Sequence, residues 1–160
     1  MQFTQSVSYP GTVDEVVAMY LTPAYLERRF GQFVVDGSST VSVEGERVSF
    51  AGTVRPELIP AAAARFVKSD LRIAFTEEWT TNEAGASSRT SVTVDGAPVS
   101  VEATSTLTGT ETGCTREVTG NVSVRVPLLG GRIEKEAVAH LGRVVEREQA
   151  LATQWLEEHR

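Results

Sequence analysis

From about residue 33 to 126 the apolar side chains of this chain recur at every second position. From Gly130 to about residue 158 they recur at helical spacing without a break. The second run predicts one helix of some 28 residues, roughly 42 Å long at 1.5 Å per residue. The first predicts a large antiparallel sheet. Its intervening positions are polar, as with Thr119, Asn121, Ser123 and Arg125 in the last strand, so one sheet face is wet and the other must be covered. The terminal helix is the one element long enough to cover it. Val and Thr, 22 and 18 residues of 160, supply the β-branched side chains that such a sheet favours.

The rest of the order follows from local signals. Phe3, Gln5, Val7 and Tyr9 alternate into a first strand that stops at Pro10-Gly11. Thr12 to Glu15 is a capping box, and Val13, Val16, Val17 and Tyr20 give a short helix over 13–20. Thr22 caps and Pro23 opens a second helix, with Tyr25, Leu26 and Phe30 on its apolar side and Gly31 as its stop. Val35, Val41 and Val43 are read as one strand with a bulge at Gly37, followed by a tight turn at 44–46 and a strand through Val48, Phe50 and Val54. Pro56 and Pro60 interrupt the sheet, and 61–67 is a short helix or structured loop. Three further hairpin-linked strands run from Leu71 to Leu107, and a last one from Val118 to Val126. The expectation is seven strands, two short helices after the first strand and one long C-terminal helix, in a single domain over residues 1–160.

Composition narrows the function classes. The net charge is −6 with no Lys/Arg cluster, which argues against a nucleic-acid partner. One Cys and two His are too few for a structural zinc site, and no cofactor or metal is expected. No stretch approaches the roughly 20 apolar residues of a membrane span, and a strand begins where a signal peptide would lie, so the expected setting is cytoplasmic without integral membrane association. Cys114 follows a glycine in a predicted turn with no His beside it, and His140 sits on a charged helix flank. Neither has the neighbours of a nucleophile or base. Gly-x-Ser-x-Gly, phosphate-loop and His-Glu-x-x-His motifs are absent.

The segment Phe3-Thr-Gln-Ser-Val-Ser-Tyr-Pro-Gly-Thr-Val-Asp-Glu-Val, with the element order around it, resembles the helix-grip fold of the START-like, pollen-allergen-like (SRPBCC) superfamily. Tyr25-Leu26-Glu27-Arg28-Arg29, the Pro56/Pro60 insertion before Phe66 and Glu78-Trp79 are similar to an actinobacterial family of unknown function within it. The resemblance covers about 2–156. It implies an α+β fold in which a curved seven-stranded antiparallel sheet grips the long helix, and a cavity between them. It implies no catalytic residues, since the narrower family has no assigned activity.

One side chain breaks the apolar face of the long helix. Ile133, Ala137, Leu141, Val144, Val145, Leu151, Ala152 and Trp155 share that face, and Glu148 stands at its centre. A carboxylate in such a place is rare unless paired or facing a cavity. Glu77, between Phe75 and Trp79, is its possible counterpart, and Arg116 shares the inward parity of its strand. Two facing carboxylates would repel, and one could hold a proton near neutral pH. Otherwise Glu148 pairs with Arg116 or reaches the rim. Phe33, Phe50, Phe66, Phe75, Trp79 and Trp155 have mostly inward parity, and Tyr9, Tyr20 and Tyr25 fall at the expected end of the cavity. The expected ligand contacts are Glu148, Glu77, Trp79, Phe75, Phe50, Tyr25, Leu141, Val144, Ala152 and Arg116. The expected function is binding of a hydrophobic small molecule: by resemblance a fatty acyl chain, polyketide, sterol-like or isoprenoid molecule. The alternatives are a polyketide cyclase or aromatase-like enzyme using an intracavity Glu or Tyr, and a co-chaperone-like protein-interaction module. Oligomeric state is not readable.

Overall fold

A computed structural model describes residues 1–65, 67 and 69–160. Phe66, expected to face inward, lies outside them. The chain runs β1 (Gln2–Tyr9), α1 (Val13–Tyr20), α2 (Pro23–Phe30), β2 (Thr40–Glu44), β3 (Arg47–Thr53), α3 (Ala61–Ala64), β4 (Arg72–Asn82), β5 (Gly85–Asp95), β6 (Val99–Gly109), β7 (Cys114–Val124) and α4 (Gly130–Glu158). The seven strands form one antiparallel sheet in the order β1-β7-β6-β5-β4-β3-β2. Each of β2 to β7 pairs with its sequence neighbour, and β1 closes the other edge against β7. This is the helix-grip architecture.

The capping box of α1 forms as expected. The Glu15 amide donates to Thr12 Oγ1 at 3.1 Å and the Thr12 amide donates to Glu15 Oε1 at 3.3 Å. Thr22 does not cap α2. Its hydroxyl donates back to the Ala18 carbonyl at 2.7 Å, tying α2 to the end of α1 instead. Nor is 33–44 one bulged strand. Gly37 takes φ +79°, the Ser38 hydroxyl donates to the Val35 carbonyl, and Val34 makes only an isolated bridge to Val54 before β2 starts at Thr40. Cys114 is the first residue of β7, paired with Tyr9 and buried, rather than part of a turn. The left-handed Gly45 and Gly96 make the expected hairpin turns.

Packing is uneven along the concave face. At one end α1, α2 and the last turns of α4 meet β1, β4, β6 and β7 in a dry core of Val16, Tyr20, Tyr25, Trp79, Leu107 and Trp155 with their neighbours. A second cluster of Leu26, Val34, Val48, Phe50 and Phe75 continues it under α2. Each such side chain contributes roughly 1.5–3 kcal/mol on burial. Along α4, in contrast, the fully buried residues are Gly130 at one end and Ala152, Trp155 and Leu156 at the other. Gly130 lies against the Val124 carbonyl, and Glu134 Oε2 accepts from the Val124 amide at 2.8 Å. Between these two anchorages Val138, Leu141, Val145 and Leu151 are only half-buried, and Val144 is exposed. The strand residues beneath, Val92, Val101 and Val118, are half-buried too. The helix therefore stands off the sheet over its middle.

Candidate functional site

The standoff leaves a partly open cavity of about 250 Å³. Its apolar walls come from Phe75 (β4), Val92 (β5), Val101 (β6) and Val118 (β7), with Leu141 and Val144 of α4 above. Its polar end is built from four charges. Arg116 reaches from β7 to β4, where its Nη2 donates to Glu77 Oε2 at 2.8 Å. Its Nε donates to Ser105 Oγ at 2.9 Å and its Nη2 contacts Ser88 Oγ at 3.2 Å. Glu77 also accepts from Thr90 Oγ1 at 2.7 Å and Trp79 Nε1 at 3.0 Å. Both partners are sealed, at 1% exposure for Glu77 and 4% for Arg116. The Arg116 guanidinium also lies over Tyr20 and Trp79, 4.8 and 4.9 Å from the ring centres.

Glu148 belongs to a second pair. Arg29 Nη2, from the last turn of α2, sits 2.8 Å from Glu148 Oε1, and the Tyr20 hydroxyl donates to the same oxygen at 2.9 Å. A phenol has a single proton, so Tyr20 must accept from Tyr9, whose hydroxyl lies 2.5 Å away. Arg29 stands over Phe30 and Tyr20 at 4.7 and 4.9 Å. Its Nη1 is 4.0 Å from Glu77 Oε1, and among the described residues no group hydrogen-bonds it. The two ion pairs thus approach each other across Arg29.

These contacts set the protonation states. Burial pushes the Glu77 carboxyl up, but Arg116, Arg29 and the Thr90 hydroxyl together outweigh it and hold the group below its ordinary value. Glu77 is therefore a fixed carboxylate and not the acid of the two that could hold a proton near neutral pH. The expected Glu148–Arg116 pair is likewise replaced by Glu148–Arg29 and Glu77–Arg116. Tyr9, Tyr20 and Tyr25 are raised, chiefly by burial, and remain protonated; Tyr9 and Tyr20 donate, whereas the Tyr25 hydroxyl has no hydrogen-bond partner among the described residues. Burial also pushes the Cys114 thiol up to about 11, far from a reactive thiolate.

Of the sequence-selected residues, Glu148, Glu77, Phe75, Leu141, Val144 and Arg116 meet on the cavity wall. Trp79, Phe50, Tyr25 and Ala152 do not reach it; they are packed behind it in the dry core. Tyr9 lines the cavity too, at the end where the tyrosines were expected, though it was not counted among the ligand contacts; Arg29 also lines it and was not selected. Arg29 had a readable signal: it lies four residues after Tyr25 on the face that carries Leu26 and Phe30, an arginine on a buried stripe. A second cavity, also about 250 Å³, lies farther along the same face under Ile133 and Ala137, walled by Leu71, Val94, Val99 and Val124. Among the described residues no His, Cys, Asp and Glu group as metal ligands, and no helix is long and apolar enough to cross a membrane.

Comparison with known proteins places this geometry. An uncharacterised protein of Mycobacterium tuberculosis is 27% identical over 168 aligned positions, covering 96% of this chain and 95% of its own. Norcoclaurine synthase from Thalictrum flavum, solved with dopamine and hydroxybenzaldehyde, is similar with a TM-score of 0.61 at 12% identity, over 100% of this chain and 88% of that one. A STAR-related lipid transfer protein from Xanthomonas axonopodis gives 0.57 at 14% identity, over 91% and 84%. At such identities the two structures share the START-like fold with this chain and nothing finer follows. Over residues 4–156 the sequence matches a protein family of unknown function, DUF2505, and the chain belongs to that family.

Proposed function

We propose that this protein binds an elongated hydrophobic small molecule between the sheet and α4. The observation that carries the reading is the standoff of a helix anchored at both ends over half-buried valines, which leaves a walled apolar space instead of a core. Apolar walls with a few converging polar groups are what small-molecule sites present. The two cavities lie under one helix. From Ile133 to Glu148 the rise is about 22 Å at 1.5 Å per residue, which suits an acyl, polyketide, isoprenoid or sterol-like molecule lying along α4. Glu148, Glu77, Arg116, Phe75, Leu141 and Val144 are its proposed contacts, with Arg29 and Tyr9 added. Trp79, Phe50, Tyr25 and Ala152 hold the wall in place. The lipid transfer protein among the structural relatives accords with this reading.

The test is native mass spectrometry of gently purified protein together with titration of the uncharged dye Nile red. A co-purified small molecule or saturable dye binding is expected. An Ala103→Phe variant, which fills the cavity from the β6 side, should abolish dye binding and leave the melting temperature within a few degrees of the parent. Absence of both a bound mass and saturable dye binding would overturn the reading.

A cyclase-like catalytic reading has one observation in its favour: the hydrogen-bonded series Tyr9, Tyr20, Glu148 ends on the cavity wall. It requires turnover of a bound polyketide-like substrate that Glu148→Gln abolishes without loss of binding.

A further inference from the structure

We infer that the polar end of the bound molecule is uncharged, a hydroxyl or a carbonyl oxygen rather than a carboxylate or an amine. The inference rests on the ligand-binding reading and specifies its chemistry. The buried end of the cavity holds two arginines and two glutamates, and they neutralise one another in pairs: Arg116 with Glu77 at 2.8 Å and Arg29 with Glu148 at 2.8 Å. A further charge placed there would have no counter-charge and would lose its hydration. Hydrogen-bonding capacity is nevertheless left over. Arg29 Nη1 is buried on the cavity wall, and among the described residues no acceptor hydrogen-bonds it. Glu148 Oε1 accepts from both Tyr20 and Arg29, whereas among the described residues no donor hydrogen-bonds Oε2. One spare donor and one spare acceptor belong to neighbouring residues of the same wall. A hydroxyl has both the acceptor and the donor these two groups lack, and a carbonyl has the acceptor.

Arg147 is a third arginine on the lining, but it is exposed and water screens it, so it leaves the buried balance unchanged. The spare donor and acceptor sit at the end of the cavity nearest the dry core. The molecule therefore enters polar end first, with its apolar part lying under Leu141 and Val144 toward the second cavity.

The test is displacement of Nile red by 1-dodecanol, dodecanoate and dodecylammonium. These share one chain length and differ in charge at about pH 8, where the acid and the amine are both ionised. Dodecanol should bind at least about tenfold tighter than either ion. Glu148→Gln leaves Arg29 without its carboxylate and should shift the preference about tenfold toward dodecanoate. Arg29→Gln leaves Glu148 unpaired and should shift it toward dodecylammonium. Circular dichroism establishes that each variant is folded, and either variant alone decides the point if the other is not. Dodecanoate binding as tightly as dodecanol overturns the inference while ligand binding stands; loss of that affinity in Arg147→Ala would then place the acid at the mouth. An unchanged preference in a folded variant also overturns it. Failure of dye and all three probes to bind overturns the ligand-binding reading, and this inference with it.

Discussion

Arg116 on β7 and Glu77 on β4 are hydrogen-bonded at 2.8 Å although β6 and β5 lie between their strands. In register Arg116 stands opposite Leu107, Ala86 and Thr81, four residues along β4 from Glu77, so on a flat sheet their Cα atoms would lie about 20 Å apart. The contact closes because the sheet curls toward the face they share. The pair thus reports the curvature that makes the groove, and it fastens the two sides of the curl together.

Removing one partner should be costly. Arg116→Met leaves a carboxylate at 1% exposure with only the more distant Arg29, at 4.0 Å, as counter-charge, and a loss of about 3–5 kcal/mol is expected in urea denaturation. Glu77→Gln should cost somewhat less, because an amide can still accept from Trp79 and Thr90. In a double-mutant cycle the combined change should be less destabilising than the sum of the two single changes.

Acid should release the same fastening. The folded value of Glu77 lies below its unfolded value of about 4.3, so its contribution is fully present above that pH and disappears as the pH falls through the folded value. Stability measured from neutral pH downward should therefore fall below about pH 4.3. Glu77→Gln should start lower and show a shallower acid limb. Equal slopes in the two proteins would show that other carboxylates dominate.

Gly120 should tolerate no side chain. A Cβ there would lie 2.5 Å from Phe3 Cζ and 2.8 Å from the Glu102 carbonyl oxygen. The ring can swing aside, but the carbonyl belongs to β6 and cannot. Gly120→Ala should cost about 1–3 kcal/mol, and Phe3→Leu in the same chain should not restore it.

Leu128 offers the opposite case. It is fully exposed in the loop before α4 and holds φ at +68°, a left-handed conformation that costs a leucine roughly 1 kcal/mol. Leu128→Asn should raise stability by about 0.5–1 kcal/mol, read as a higher urea midpoint at unchanged slope.

The elements that the sequence makes legible are those specified locally. The Thr12 box, the hairpin glycines and the long apolar stripe of α4 carry their own signals, and all three form as read. Two local readings fail, the Thr22 cap and the strand through Gly37, and the larger failure is long-range. Residues 33–44 alternate correctly, but Gly37 at φ +79° and the Ser38–Val35 contact break the strand for reasons that period two does not encode. The prominence of Glu148 and Glu77 was visible from burial chemistry alone. Their partners were not, because which arginine meets which carboxylate depends on how far the sheet curls and where α2 lands upon it. The spacing of Arg29 from Tyr25 puts it on the inward face of α2, but it does not say which carboxylate it meets.

The two anchorages of α4 make it a beam resting on supports at either end. Trp155 and Leu156 hold one end, the Gly130–Glu134 contact with Val124 holds the other, and the span between carries little load. Such a beam yields first at mid-span. Bowing near Val138 to Val145 would widen the slot above the valines while both supports and the dry core stay intact. The groove can open, on this geometry, without any step of unfolding.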